Sequence, residues 1–399
     1  MLWRNIASNA LTLFIVILAV VAGVIAWGQR QFTGTGPLVE AACFEVPRGG
    51  SIIGVADRLA AQGAISNASI FRIGANYRDL SDQLKFGSYL IPPGATMEEI
   101  LGALTRGGQS TCGTEVNYRI GVLASEMVVR TLDPAQNRYV EVAKFDPATM
   151  PAPQSYREAV ASPDARLRLT LAEGATSWQV VEALKQADFL TGEISALPPE
   201  GMLAPYGYEV TRGMDRGAVL AEMQARQKAI LADLWAARAA DLPYASPEEA
   251  LVMASIVEKE TGVPDERGRV ASVFVNRLRE GMPLQTDPTV IYGVTKGQGS
   301  LGRGLRASEL RTPTPYNTYT RRGLPPTPIA NPGREAIAAA LNPDQTADLY
   351  FVADGTGGHA FARTLAEHND NVARWRRIER ERGLPPDDSG TGTGATAGQ

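Results

Sequence analysis

Histidine and cysteine are scarce in this 399-residue chain, which has two of each. So few soft and imidazole side chains speak against a His/Cys metal site and against a disulfide-framework fold. An excess of one charge is also lacking. The chain has 39 basic and 43 acidic residues and a net charge of -4, not the basic surplus of a nucleic-acid binder. Long apolar runs are missing everywhere but the N-terminus, which excludes a polytopic membrane protein. Hydrophobic residues still make up 44% of the chain, enough for a sizeable core and too many for wholesale disorder. A prior of roughly 150 residues per domain suggests two or three domains.

The one long apolar run is Asn9 to Trp27 (NALTLFIVILAVVAGVIAW), which carries no charge. At about 18 apolar residues it just reaches the length of a membrane-spanning helix. Arg4 precedes it and Arg30 follows, a weak bias toward an inside N-terminus. The expectation is a cytoplasmic tail at 1–8, a transmembrane anchor at 9–27 with Met1 retained, and a linker at 28–40. The alternative is a signal peptide cleaved at Val24-Ile25-Ala26. Both readings put the bulk of the chain outside the cytoplasm. There Cys43 and Cys112 can pair, the other reading being two buried thiols.

A weak repeat organises the first half. Glycine, a capping residue and an amphipathic stretch recur at Gly49, Gly94, Gly174 and Gly213, with Ser51, Thr96, Thr176 and Asp215 as caps. Each copy follows a strand-like run: CFEV, SYLI, RLTL or GYEV. The copies pair into two small α+β modules, at 41–109 and 166–245. Between them, 110–165 reads as an irregular insertion with strands in NYRIGVL, EMVVRTL and RYVEVAKF. The tail at 384–399 is low-complexity and is expected to be disordered. Gly297 to Gly302 fits GxGxxG but lacks a buried strand before it and a long helix after it, so no dinucleotide cofactor is expected.

Residues 246–383 carry the chemistry. Ser246-Pro247-Glu248-Glu249 is a strong helix start, and Gly262 is a natural stop. With residues about 100° apart and Leu251 at zero, Ser255, Glu258 and Lys259 fall at about 40°, 340° and 80°, a polar stripe. Glu260 falls at about 180°, between Ile256 and Met253 on the apolar side. Glu258 is therefore expected on the solvated face, where its neutralisation costs little. Glu260 is the anomaly. Burial and a helix C-terminus both raise the pKa of a carboxyl group, and a carboxylic acid still protonated near neutrality is what general-acid catalysis needs. A buried ion pair with Arg269 or Arg277 is the competing reading.

Downstream, Gln285, Thr286 and Asp287 precede a proline, a proline-punctuated run mixes Tyr, Asn and Thr, and LYFVADGTGGHAF reads as a hairpin carrying His359 ahead of a last helix. Loops of this composition often line binding grooves. The stretches ASIVEKETGVPDERGRVASVFVNRLREGMPLQTDPTVIYG, TPYNTYTRRGLPP, PIANPG and LYFVADGTGGHAF resemble the endolytic murein transglycosylases, the MltG or YceG-like family. The likeness is close over about 246–373 and looser before it, where the family has a membrane anchor and a LysM-like module. The 110–165 insertion departs from shorter members.

The resemblance implies an α+β protein with an N-terminal transmembrane helix, one or more LysM-like α+β modules and a C-terminal catalytic domain of helices and a hairpin. It implies a single-pass inner-membrane protein whose catalytic domain faces the periplasm and needs neither metal nor cofactor. Such an enzyme cuts the MurNAc-β-1,4-GlcNAc bond of nascent peptidoglycan strands and leaves 1,6-anhydroMurNAc ends, terminating glycan polymerisation. Glu260, the second glutamate of the EKE triplet, maps to the catalytic position, with Thr261 after it. Gln285, Thr286, Asp287, Tyr292, Asn317, Tyr319 and His359 match family positions and are expected to bind substrate. Glycan strands and the membrane are the implied partners, with peptidoglycan synthases as candidates. Two other readings remain: a muramidase using Asp287 as second carboxylate, and a non-catalytic peptidoglycan-binding scaffold.

Overall fold

The computed structural model describes residues 2–106, 111–162 and 165–383, with side chains described from residue 11. The tail expected to be disordered lies outside the described residues. The fold is mixed α+β. Its first helix, α1 (Leu2–Thr33), includes Leu11–Thr33, long and apolar enough to cross a membrane and compatible with a single-pass anchor. The helix continues past Trp27 through the first part of the expected linker. Polar residues after Trp27 do not end it, because Arg and Gln are good helix formers.

The described chain forms two compact units. The first takes in residues up to 116, 129–143 and 153–166. Its first part contains β1 (Ala42–Val46), α2 (Ile52–Ala61), α3 (Ala68–Tyr77), β2 (Gly87–Ile91) and α4 (Met97–Thr105). The two strands pair antiparallel, with Phe44 opposite Tyr89. Phe44, Leu59, Phe71, Ile100 and Leu104 fill the core beneath them. Phe32, at the end of α1, joins that core and lies on Gly74, where any Cβ would collide with its ring. Cys43 and Cys112 are disulfide-bonded, their Cα atoms 5.7 Å apart.

Strands β3 (Thr114–Ile120), β4 (Ser125–Asp133), β5 (Arg138–Phe145), β6 (Arg166–Leu171) and β7 (Gly207–Val210) make one sheet in the order β5-β4-β3-β6-β7. The insertion supplies β3, β4 and β5 on the three strand-like runs expected in it, followed by α5 (Gln154–Ala161). The β6–β7 pair, expected to form a module of its own, continues the same sheet. Alternating burial along β3 and β6 shows why: each presents one apolar face to be covered.

The four repeat copies share their local geometry. Gly49, Gly94, Gly174 and Gly213 have φ of 71°, 69°, 78° and 81°, the left-handed region that a residue without Cβ enters at no steric cost. The next helices are α2, α4, α6 (Ser177–Gln186) and α7 (Arg216–Ala236), and each expected cap accepts a backbone N–H of its first turn.

The second unit takes in 117–128, 144–152 and 167 onward. It centres on α8 (Pro247–Glu260), capped by Ser246 as its sequence implies. Helix α9 (Arg267–Arg279) follows, then α10 (Asp287–Thr295), α11 (Ala307–Arg311) and α12 (Arg334–Leu341). Ala336, Ala339 and Ala340 of α12 are small enough to let it lie close to α8 in a core with Ile256, Phe274 and Phe351. The hairpin β8 (Tyr350–Ala353) and β9 (His359–Ala362) leads into α13 (Leu365–Arg382).

Candidate active site

Glu260 is the last residue of α8 and only 6% exposed. Burial pushes its pKa up from 4.5 to about 7. The neighbouring Asp287 charge adds to that rise, while a Thr286 hydrogen bond and the Arg277 charge oppose it. No cation sits within ion-pair distance of it among the described residues. Arg269 pairs with Asp348, and Arg277 donates to the carbonyls of Leu349 and Leu284, both at 2.7 Å. The ion-pair reading of Glu260 therefore fails, and its proton is what compensates burial.

The Thr286 hydroxyl donates to Glu260 Oε1. Thr286 is the N-cap residue of α10, yet it makes no side-chain cap, because its hydroxyl is directed to the carboxyl group instead. Thr318 and Thr289 fix it from behind: the Thr286 N–H donates to Thr318 Oγ1 at 3.0 Å, and the Thr289 hydroxyl donates to the Thr286 carbonyl at 2.7 Å. All three threonines are fully buried. The acid is thus held by a preorganised polar cluster.

Two hollows meet at Glu260, Thr261 and Gly262. The larger, about 420 Å³, has Lys259, Tyr292, Gln179 and the glycine-rich loop at 297–303 in its walls. The smaller, about 200 Å³, is roofed by the β8–β9 hairpin with its Gly355, Gly357 and Gly358, and by Trp375 of α13. A carboxylic acid therefore sits where two partly open hollows adjoin, a trough with Glu260 between its two parts.

Of the expected substrate-binding residues, Tyr292 and His359 line this trough. The Tyr292 hydroxyl donates to Glu200 at 3.1 Å, and its ring meets Tyr316 at 5.0 Å between centroids. His359 shares a 2.7 Å hydrogen bond with Glu266, which also accepts the His359 backbone N–H. Thr286, Asp287, Asn317 and Tyr319 stand behind the wall. Asp287 accepts from the Tyr319 hydroxyl at 2.6 Å. The Asn317 amide is committed to the carbonyls of Glu309, Leu310 and Thr312, which tie the loop together. Gln285 faces a third, separate cavity.

The polar stripe of α8 is covered at Ser255 and only partly exposed at Glu258 and Lys259, against the solvated face its periodicity implies. Ser255 is fully buried and accepts the Ile329 N–H at 3.0 Å; Glu258, half-buried, accepts the Gly333 N–H at 3.0 Å. The PIANPG segment has no regular partner for these N–H groups, so it lies on the stripe and uses its side chains as acceptors. Burial raises the Glu258 pKa and lowers that of Lys259.

Sequence reasoning missed several wall residues. Val122 and Leu123, at the tip of the β3–β4 hairpin, line the larger hollow, and Gln179 Nε2 holds that tip through the Val122 carbonyl at 2.6 Å. The cap residue Thr176 also donates to the Gly297 carbonyl at 2.6 Å, fixing the glycine-rich loop. That loop follows helix α10 rather than a strand, as expected of a chance GxGxxG, yet its backbone forms a wall. Gly121, inside the expected strand run NYRIGVL, was the available turn signal for the tip.

The fold and site define an α+β protein, with one N-terminal apolar helix, whose trough is centred on a buried, proton-retaining glutamic acid. The sequence profile of the YceG-like family matches residues 44–157 and 121–374, and the chain belongs to that family. A Bacillus subtilis (strain 168) protein named endolytic murein transglycosylase is 46% identical over 124 residues, 31% of this chain and 33% of that one. A Streptococcus pneumoniae (serotype 2, strain D39) protein of the same name is 26% identical over 352 residues, 82% of this chain and 57% of that one. The chain thus spans a third to somewhat over half of the length of these relatives. A 2.6 Å crystal structure of a yceG-like protein from Listeria monocytogenes shares 26% identity at a TM-score of 0.44, covering 83% of this chain and 99% of that one.

Proposed function

We propose that the protein is an endolytic peptidoglycan lytic transglycosylase, with Glu260 as its catalytic acid and base. The carrying observation is the buried carboxyl group of Glu260, its pKa raised to about 7, at the place where two hollows adjoin. A strand lying across both hollows brings an internal bond to Glu260, as internal cleavage requires. Glu260 gives its proton to the glycosidic oxygen as the bond to the muramyl anomeric carbon breaks. The resulting carboxylate then takes the proton of the muramyl O6 hydroxyl, whose oxygen attacks that carbon and closes the 1,6-anhydro ring. Proton and electron pair balance without water, so one carboxyl group suffices, unlike the paired carboxylates of ordinary glycosidases. Asp287 does not supply a second one, since it is tied to Tyr319 and lines neither hollow.

In this reading Tyr292 and His359 contact the sugar chain, and α1 anchors the protein in the inner membrane with the catalytic domain in the periplasm. The Cys43–Cys112 bond supports an oxidising compartment. The strand–helix–helix–strand order of 42–91 supports a LysM-like glycan-binding role for the first module, and peptidoglycan synthases are its candidate partners. Mass spectrometry of glycan strands digested by the purified protein tests the assignment. Anhydromuramyl ends are expected. Reducing muramic ends would make it a muramidase, and uncut strands a scaffold.

A further inference from the structure

A third cavity, of about 600 Å³, lies beside α13 and draws on chemistry the trough does not use. Three arginines line it, Arg277, Arg376 and Arg380, and no Asp or Glu among the described residues does. Arg277 is only 8% exposed, and it donates hydrogen bonds to the backbone carbonyls of Leu349 and Leu284, which orient the guanidinium without cancelling its charge. Arg376 and Arg380 lie one turn apart on α13, on the face that also carries His368 and Val372. The His368 ring stacks on Tyr350 at 5.1 Å, and its Nδ1 is buried with no hydrogen-bond partner among the described residues. Such an atom calls for an explanation. Leu365 and Val372 give the same cavity apolar walls.

The cavity is also joined to the acid. Gln285, in its wall, precedes Thr286, which bonds Glu260, and Gln285 has φ of 52°, a left-handed conformation disfavoured for a residue with Cβ. Backbone held in that region clusters at functional sites. Three cations and apolar walls match a ligand with carboxylates and short aliphatic side chains.

We infer that this cavity is a subsite for the carboxylate-bearing peptide that substitutes the muramyl residues of the strand, read beside the trough in which Glu260 cuts. The assignment rests on the transglycosylase reading. A bare phosphate group suits the cavity less well, since it would leave the aliphatic walls and much of the volume unused. An anion here also partly offsets the Arg277 charge that opposes protonation of Glu260, so the peptide favours the acid form that cleavage needs.

The test uses the full chain in detergent carrying Glu260→Gln, with its two histidines isotopically labelled for NMR. The probes are an N-acetylated tetrapeptide of the peptidoglycan type with free carboxylates, the same peptide fully amidated, and inorganic pyrophosphate. The acidic peptide is expected to shift the His368 imidazole signals saturably and those of His359 little. Amidation, or Arg376→Gln with Arg380→Gln in a chain of unchanged circular dichroism, should weaken binding on the order of tenfold or more, as loss of charge-assisted hydrogen bonds does. No saturable shift, equal binding of the amidated peptide, or saturation by pyrophosphate alone would overturn the proposal. The probe contains no sugar and the protein cannot cleave, so this result is separate from the strand digest. Wild-type protein that leaves strands uncut would fail the transglycosylase reading whatever the titration shows.

Discussion

Removing a carboxyl group from water without a counter-ion favours its neutral form, and at Glu260 that turns burial into a supply of protons near neutrality. Glu260→Gln keeps shape and loses the proton, so strand cleavage should fall by about 10² to 10⁴ or more. Cleavage at the wild-type rate would remove Glu260 from the mechanism. The same burial has a stability consequence of definite sign. The folded-state pKa lies above its ordinary value, so the contribution of Glu260 is complete below about 4.5 and is lost as pH rises through about 7. The wild type should therefore lose stability relative to Glu260→Gln across that window, by on the order of 3 kcal/mol. Chemical denaturation of both proteins at several pH values measures this, and a pH-independent difference would contradict it. Thr286→Val deletes a hydrogen bond that lowers the Glu260 pKa and also orients it. The alkaline limb of the rate profile should move up while kcat falls, and Thr286→Ser should restore both. Glu258→Ala orphans the Gly333 N–H and should cost about 1–3 kcal/mol in thermal denaturation, against the small effect its helical angle implies.

Among the secondary elements, the capped turns carry the local order. Thr176 caps α6 and also holds Gly297, so Thr176→Ala should cost more than the ~1 kcal/mol of an ordinary cap. It should raise KM as the glycine-rich wall loosens, whereas Thr96→Ala, a cap with no such second bond, should affect stability alone. Denaturation melts and strand-cleavage kinetics on the two variants separate these outcomes. The four glycine turns, their caps and the helix start at Ser246 were legible because their signals are local: a residue without Cβ, a short polar side chain, then periodic apolar positions. The rotation of α8 was legible on its apolar side only. Periodicity marks Ser255 and Glu258 as polar, but what covers them is PIANPG, more than seventy residues away in the chain.

At the scale of the whole molecule, the Cys43–Cys112 bond closes a long loop, with a sequence separation of 69, and ties β1 to the chain entering β3. Bridges are typically worth about 2–4 kcal/mol, and the chain-entropy account puts a loop of this length at the upper end, roughly 4 kcal/mol. Cys43→Ser with Cys112→Ser should lower the melting temperature under oxidising conditions, and reductant should then have no further effect. A melting curve unchanged by the double substitution would mean that the bridge contributes nothing.

By itself the sequence determined the apolar N-terminal helix, the capped strand–turn–helix units and the odd position of Glu260, because each depends on residues within one or two turns of each other. Tertiary structure alone decided the rest. It joined the 110–165 strands to β6 and β7 in one sheet and brought Leu123 to the trough. It set Asn317 and Asp287 behind the wall rather than in it, and it gathered three arginines beside Gln285. Sheet order, wall membership and shared cavities depend on which distant surfaces exclude water together, and hydrophobic burial is non-directional. A chain therefore shows which faces must be covered well before it shows what will cover them.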